Sequence, residues 1–337
     1  MTDLLAQARD KTRLHQYGEA EALYTQYLEN PAASEIISSE AAAVRDLLGF
    51  VQMKQKKYYE AIETFSECCE ADEENAEYFA HLAEALKAVH RFEDAMAMYQ
   101  RAAQISGSFL HQLKAGEMNL SLGNHDAALA LFLLIQSVHQ SEPEVYAYLA
   151  KALSAKGMEL DAALSKGKEL ELRKALTETA PSGETWAAYA HLQLSLKNYA
   201  EAKRGYRESL QFADSANVRL GLGEALVHLK DEAADREFEA AAAIDPLDFA
   251  MLVTIGDTLT RLGKYALAIQ MYAQALALHN VNADTWVAIA YALYKSGNSE
   301  DAQAFYEMAK ASAAVREMPW ADKMHKSEKT EELDKVF

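Results

Sequence analysis

The chain has 337 residues, half of them apolar, and a formal charge of −18. With no basic stripe to displace counterions, that charge argues against nucleic acid and anionic membrane surfaces, and no run of about 18 apolar residues could span a bilayer. Only 14 Gly and 5 Pro in an Ala-, Leu-, Glu- and Lys-rich sequence predict a nearly all-helical protein.

The opening stretch MTDLLAQARDKTRLHQYGEA reads as an amphipathic helix and not as a leader peptide. Cys68 and Cys69 are adjacent in one helix and cannot staple separate elements, so cytoplasm is the expected compartment. From the first helix onward one phrase recurs. Aligned on an alanine, its copies stand at Ala20, Ala61, Ala95, Ala128, Ala162, Ala202, Ala234, Ala268 and Ala302. Four residues after the alanine come Tyr24, Phe65, Tyr99, Phe132, Tyr206, Phe238, Tyr272 and Tyr306, the fifth copy alone substituting Lys166. Seven after it stand small residues such as Ala102, Ala241, Ala275 and Ala309. Offsets of four and seven share one helical stripe, so these aromatics are expected in the core.

Upstream of each alanine lies a second amphipathic segment ending in a large–small pair, as in Tyr189–Ala190, Ile255–Gly256 and Ile289–Ala290. Glycine or a polar residue then closes it, as at Gly123, Gly157, Gly263 and Gly297. The seventh copy has lost one turn residue near Lys230. A period near 34 is the mark of a repeat array. It is interrupted by an insertion at 31–40 and by a long second helix in the fifth copy, reaching about Thr177 before TAPSG breaks it. The expected organisation is an N-terminal array over 1–177, a C-terminal array over 178–314 and a capping helix or tail over 315–337, carrying Trp320 and Met324.

Motifs for chemistry are missing. The GLGEAL stretch at 221–226 lacks a third glycine and a preceding strand, and SKGKE around Lys166 lacks the upstream glycine of a phosphate loop. With no H-E-x-x-H, C-x-x-C or G-x-S-x-G, neither an enzyme nor a metal or cofactor site is expected.

Period and motif together resemble the tetratricopeptide repeat: large–x–x–large–small in the first helix, Gly–x–aromatic at the turn, then Ala–x–x–x–aromatic–x–x–Ala. The resemblance implies an all-α superhelix of about nine helical hairpins, a solenoid with a concave face lined by fixed first-helix positions. Carried onto this sequence, those positions give Glu84, Lys87, Leu113, Glu117, Leu120, Tyr148, Lys151, His191, Glu224, Asp257, Arg261, Tyr291 and Tyr294. The Lys and Asn pattern with which some relatives grip a terminal carboxylate is absent. Residues 72–105 and 109–136 are also similar to the three-repeat type III secretion chaperones, through the line of His111, Lys114 to Glu117, Leu120 and Gly123.

These readings imply a non-catalytic scaffold, an adaptor or secretion-type chaperone, that captures a protein segment. Its partner is expected to be apolar with basic flanks, selected by Glu84, Glu117, Glu224 and Asp257. The rivals are a peptide-responsive sensor that changes pitch, and self-assembly through the array ends.

Overall fold

A computed structural model describes residues 2–29, 38–278 and 283–312. The expected cap or tail at 315–337 and the insertion as far as residue 37 lie outside the described residues. Among the described residues there are 18 α-helices and no strand. They fall into two compact units, Met1–Ala175 and Leu176–Phe337.

In the first unit the helices are α1 (Thr2–Arg13) and α2 (Tyr17–Leu28), α3 (Ser38–Lys54) and α4 (Tyr58–Ala71), α5 (Ala76–Ala88) and α6 (Phe92–Ser106). They continue with α7 (Phe109–Ser121) and α8 (His125–Val138), then α9 (Pro143–Ala155) and α10 (Glu159–Thr179), whose last residues run past the Ala175 boundary. The second unit holds α11 (Gly183–Ser195) and α12 (Tyr199–Leu210), α13 (Ala216–His228) and α14 (Ala234–Ile244). It ends with α15 (Phe249–Arg261) and α16 (Tyr265–Leu278), then α17 (Ala283–Lys295) and α18 (Ser299–Ser312). Odd-numbered helices are the first members of the hairpins, and even-numbered helices carry the repeated alanine.

The hairpin is made by a small residue facing an aromatic. All nine repeated alanines are buried, none more than 2 % exposed, and the eight aromatics four residues on are buried with them. The aromatic ring lies against the small residue of the preceding odd helix. A Cβ placed on Gly49, Gly116 or Gly256 would stand 2.5, 2.3 and 2.5 Å from the rings of Phe65, Phe132 and Tyr272. These pairs are sixteen residues apart in sequence, so the turn must have one fixed length. The seventh hairpin, one residue short, shows what a change costs. There Gly223 meets Phe238 after fifteen residues, and α14 begins only at Ala234, whereas the other even helices begin three residues before their alanine.

The turn itself is a left-handed C-cap. His15, Lys56, His90, Gly123, Gly157, Lys197, Lys230, Gly263 and Gly297 all have φ between 55° and 92°. The next residue donates its N–H back across the helix end: Asn198 N to Gln193 O at 2.8 Å, and Lys264 N to Leu259 O at 2.9 Å. This is the Schellman geometry, which glycine adopts without the Cβ clash that other residues suffer.

Neighbouring hairpins are joined by polar contacts as well as by the core. His81 Nδ1 on α5 lies 2.6 Å from Asp46 Oδ1 on α3. The hydrogen bond to Asp46 outweighs the burial of the ring and raises the His81 pKa, with Glu77 adding to it and Lys114 opposing. Lys57 likewise reaches back to Glu21 of α2 at 2.6 Å, while Arg45 and Glu67, 2.8 Å apart, tie α3 to α4 within one hairpin.

Two predictions follow from the turns and from this pair. Lys197 is exposed, with φ of 63°, so Lys197→Gly raises stability by about 0.5–1 kcal/mol, whereas Gly263→Ala lowers it by about 1 kcal/mol, as read from urea midpoints. Because the folded pKa of His81 is raised, its stabilisation is complete below the unfolded value of about 6.5 and is lost as the pH rises through the folded value. Asp46→Asn therefore destabilises most below about pH 6.5, by under about 1 kcal/mol for so exposed a pair, and its deficit shrinks at pH 8.5. A deficit equal at pH 5.5 and 8.5 would show that the ion pair contributes nothing.

Candidate partner-binding faces

The residues that vary from copy to copy lie on the odd helices, on the turns not occupied by the small–aromatic contact. In the first unit they form a continuous charged row. Glu84 Oε1 on α5 accepts from Lys114 Nζ on α7 at 2.9 Å, and Lys87 Nζ stands 3.6 Å from the other Glu84 oxygen. Lys87 also stands 3.7 Å from Glu117 on α7, whose Oε1 accepts from Lys151 on α9 at 3.1 Å. Each carboxylate thus holds two ammonium groups.

Aromatic rings floor this row. Lys114 Nζ lies 5.4 Å from the centre of the Tyr99 ring, Lys151 4.7 Å from Tyr148, and Lys54 on α3 5.1 Å from Phe50. Tyr148 in turn packs on Phe132, ring centres 5.5 Å apart. Burial works against ionisation of Glu84, but Tyr99, Lys114 and Lys87 outweigh it and hold the carboxyl below its ordinary range. The Tyr99 hydroxyl is buried near that carboxylate without a hydrogen bond of good geometry, and burial followed by the Glu84 charge drives its pKa up. At the α3–α5 end of the row a cavity of about 610 Å³ opens. Its walls are Phe50, Met53 and Lys54 of α3, Tyr58 and Phe65 of α4, and His81, Glu84, Lys87 and Ala88 of α5, with His90 at the turn.

The second unit holds a comparable place between α15 and α17. A cavity of about 770 Å³ is lined by Thr254, Asp257, Thr258, Thr260 and Arg261 of α15, Tyr265 and Tyr272 of α16, and Ala288, Tyr291 and Lys295 of α17. Asp257 Oδ1 accepts from the Tyr272 hydroxyl at 2.7 Å, and Thr260 lies 3.2 Å from the same hydroxyl. Arg261 forks onto Glu224 of α13 at 2.7 and 3.0 Å. Both cavities are backed by the repeated aromatic, Phe65 in one and Tyr272 in the other, each facing a glycine.

The sequence-derived residues divide accordingly. Glu84, Lys87, Glu117, Tyr148 and Lys151 come together in the first unit, and Glu224, Asp257 and Arg261 in the second. His191 is exposed on α11, outside the residues that line either cavity. Leu113 is corrected: it is fully buried in the core with Phe132 and Leu149, where its side chain contributes about 1.5–3 kcal/mol and is closed to a partner. Tyr291 lines the second cavity but is only 7 % exposed, so it packs more than it contacts. Leu120 and Tyr294 are half-buried against their own cores.

The expected acidic rim is also changed. Glu84, Glu117 and Glu224 are already paired with lysine or arginine from neighbouring repeats, so they are not open carboxylates awaiting basic flanks. The signal that could have shown this is the opposite charge carried by successive odd helices, Glu84 then Lys114, Glu117 then Lys151, Glu224 then Arg261. Sequence reasoning likewise missed Asp46, Phe50 and Lys54, and the exposed Leu134, Val138, Leu160 and Leu164 on α8 and α10. In α8 the apolar residues run round the whole helix, so no single buried face can be read from it.

Among the described residues, no helix is long and apolar enough to cross a membrane and no group of three or more His, Cys, Asp or Glu could hold a metal ion. Family models for the tetratricopeptide repeat match residues 42–75 and 259–318. The chain is 21 % identical over 290 residues to tetratricopeptide repeat protein 21B of Xenopus laevis, an alignment covering 80 % of this chain and 22 % of that protein. It therefore spans about a fifth of that relative's length. A solved tetratricopeptide repeat protein from Parabacteroides merdae is 16 % identical with a TM-score of 0.47, the match covering 77 % of this chain and 98 % of the other. The chain thus carries matched tetratricopeptide repeats in both units, and eight of its nine hairpins are built on one small–aromatic contact.

Proposed function

We propose that the odd-helix faces hold a segment of a partner protein, in the role of an adaptor or a secretion-type chaperone. Tetratricopeptide repeats are in general non-catalytic protein-interaction scaffolds, and this reading specifies where the scaffold is used. One observation carries it. The two cavities lie at equivalent places in different hairpin pairs, each backed by the invariant element of the repeat and lined by residues that differ between copies. Such a site combines a rigid floor with side chains free to specify a partner.

A single tyrosine- or leucine-lined trough is not required. Each cavity has room for one bulky side chain, and the row of charges beside the first gives an incoming segment register. Basic flanks, expected from the carboxylates, lose their support once those carboxylates are paired. Of the four rim carboxylates, Asp257 is the one with no ion pair among the described contacts, and it accepts from Tyr272.

A photo-crosslinking side chain placed at Phe50 or Thr254, both exposed and lining the cavities, should give protein adducts in native lysate. The same group at the exposed Gln100 or Gln274 of α6 and α16 should give at least about ten-fold less. Equal yields at all four positions, or adducts only from the even helices, would exclude these faces as the docking surface.

A further inference from the structure

The first unit's face has a charge opposite to that of the whole chain. Along α3, α5, α7 and α9 the row contains Lys54, Lys87, Lys114 and Lys151 against Glu84 and Glu117. Lys54 has no ion-pair partner among the described contacts, and Lys114 and Lys151 each meet one carboxylate. An ammonium carries three donors, so donors remain on all three after these pairs are counted. Each of the two carboxylates already faces two lysines, so its charge is offset within the row.

From this accounting we propose that the lysine row and the adjoining cavity dock an acidic protein segment carrying one bulky apolar side chain. The proposal deepens the docking reading above and rests on it. An incoming carboxylate meets four lysines against two carboxylates, whereas an incoming cation meets carboxylates whose charge the lysines already offset. Phe50, Tyr99 and Tyr148 beneath three of the lysines hold their stems in place, which lowers the entropy lost when they engage. The apolar side chain enters the cavity between Phe50, Met53 and Phe65, whose 610 Å³ admits a Leu, Met or Phe.

Spacing sharpens the partner further. Packed helices stand about 8–10 Å apart, and a polyproline II segment advances about 3.1 Å per residue with every third side chain on one side, so acidic side chains at every third position meet successive odd helices. Nucleic acid shares the charge but fits poorly, because four lysines face a polyanion while the chain's −18 repels it. Recognition is of side-chain carboxylates, so a terminal carboxylate is not needed.

The test uses fluorescent twelve-residue peptides with amidated ends and the full chain. One carries Glu at every third position around a central Phe, a second has Lys for each Glu, and a third has Ala for the Phe. Anisotropy titrations should show the first peptide binding at least about ten-fold tighter than either of the others, with affinity falling as salt rises. Lys54→Glu with Lys151→Glu, both at exposed positions, should remove about ten-fold of that affinity while the helical circular dichroism is unchanged. Phe50→Ala should lose the preference for Phe over Ala. The proposal is overturned if the lysine peptide binds equally well, if the double variant binds like the parent, or if a single-stranded oligonucleotide binds as tightly as the acidic peptide. Cross-links at Phe50 together with any of those results would leave the docking face standing and reject only its acidic chemistry; absence of the cross-links rejects both.

Discussion

Everything in this array depends on the approach of one ring to one small residue. Where the small residue is glycine, a single added carbon would fall within 2.5 Å of the facing ring in three hairpins. Helices that close bring the alanine, the ring and the apolar residues beside them out of water together. The contact is local in sequence, sixteen residues across one tight turn in all but the seventh hairpin, and it can therefore be written eight times without any long-range instruction. The fixed turn length, the left-handed residue at its centre and the buried alanine are consequences of that distance. In the seventh hairpin the distance is fifteen, and the missing residue is taken from the start of α14 instead of from the contact.

That dependence explains what could be read from the sequence. Ala268, Tyr272 and Gly256 announce their roles because the same constraint acts in every copy, so both helices and most of the core were legible. The turns were legible at Gly263 but not at Lys197 or His90, because the backbone bond pattern is strong enough to hold a non-glycine residue in the left-handed region. The candidate site was half legible. Position alone pointed to Glu84, Glu117 and Asp257, but position says nothing about which cation a carboxylate finds across the next helix. It also misplaced Leu113, since a position that faces outward when polar turns to the core when it is leucine.

Net charge illustrates the same limit. A total of −18 suggested that acidic residues would set the specificity, yet charge acts over roughly 8 Å at physiological salt and is felt locally. Along the first unit's row itself, four lysines stand against Glu84 and Glu117. The excess acid of the chain lies elsewhere, where it keeps an alanine-rich surface from self-association. A global count can exclude a polyanion as partner, but only the pairing of individual side chains can specify the sign of a docking face.

Ion pairs across neighbouring hairpins also set how such a face can evolve. Each pair takes one partner from each of two repeats, so a change at Glu117 alters what Lys87 and Lys151 offer without touching the small–aromatic contact beneath. Exposed pairs of this kind are worth little in stability, under about 1 kcal/mol each, whereas loss of the ring contact is of the order of 3–5 kcal/mol. The two tasks are thus carried by different residues on the same helix, at energies several-fold apart. Phe65, Tyr272 and Tyr291 are both core and cavity wall, and there a substitution made for specificity would be felt by the fold.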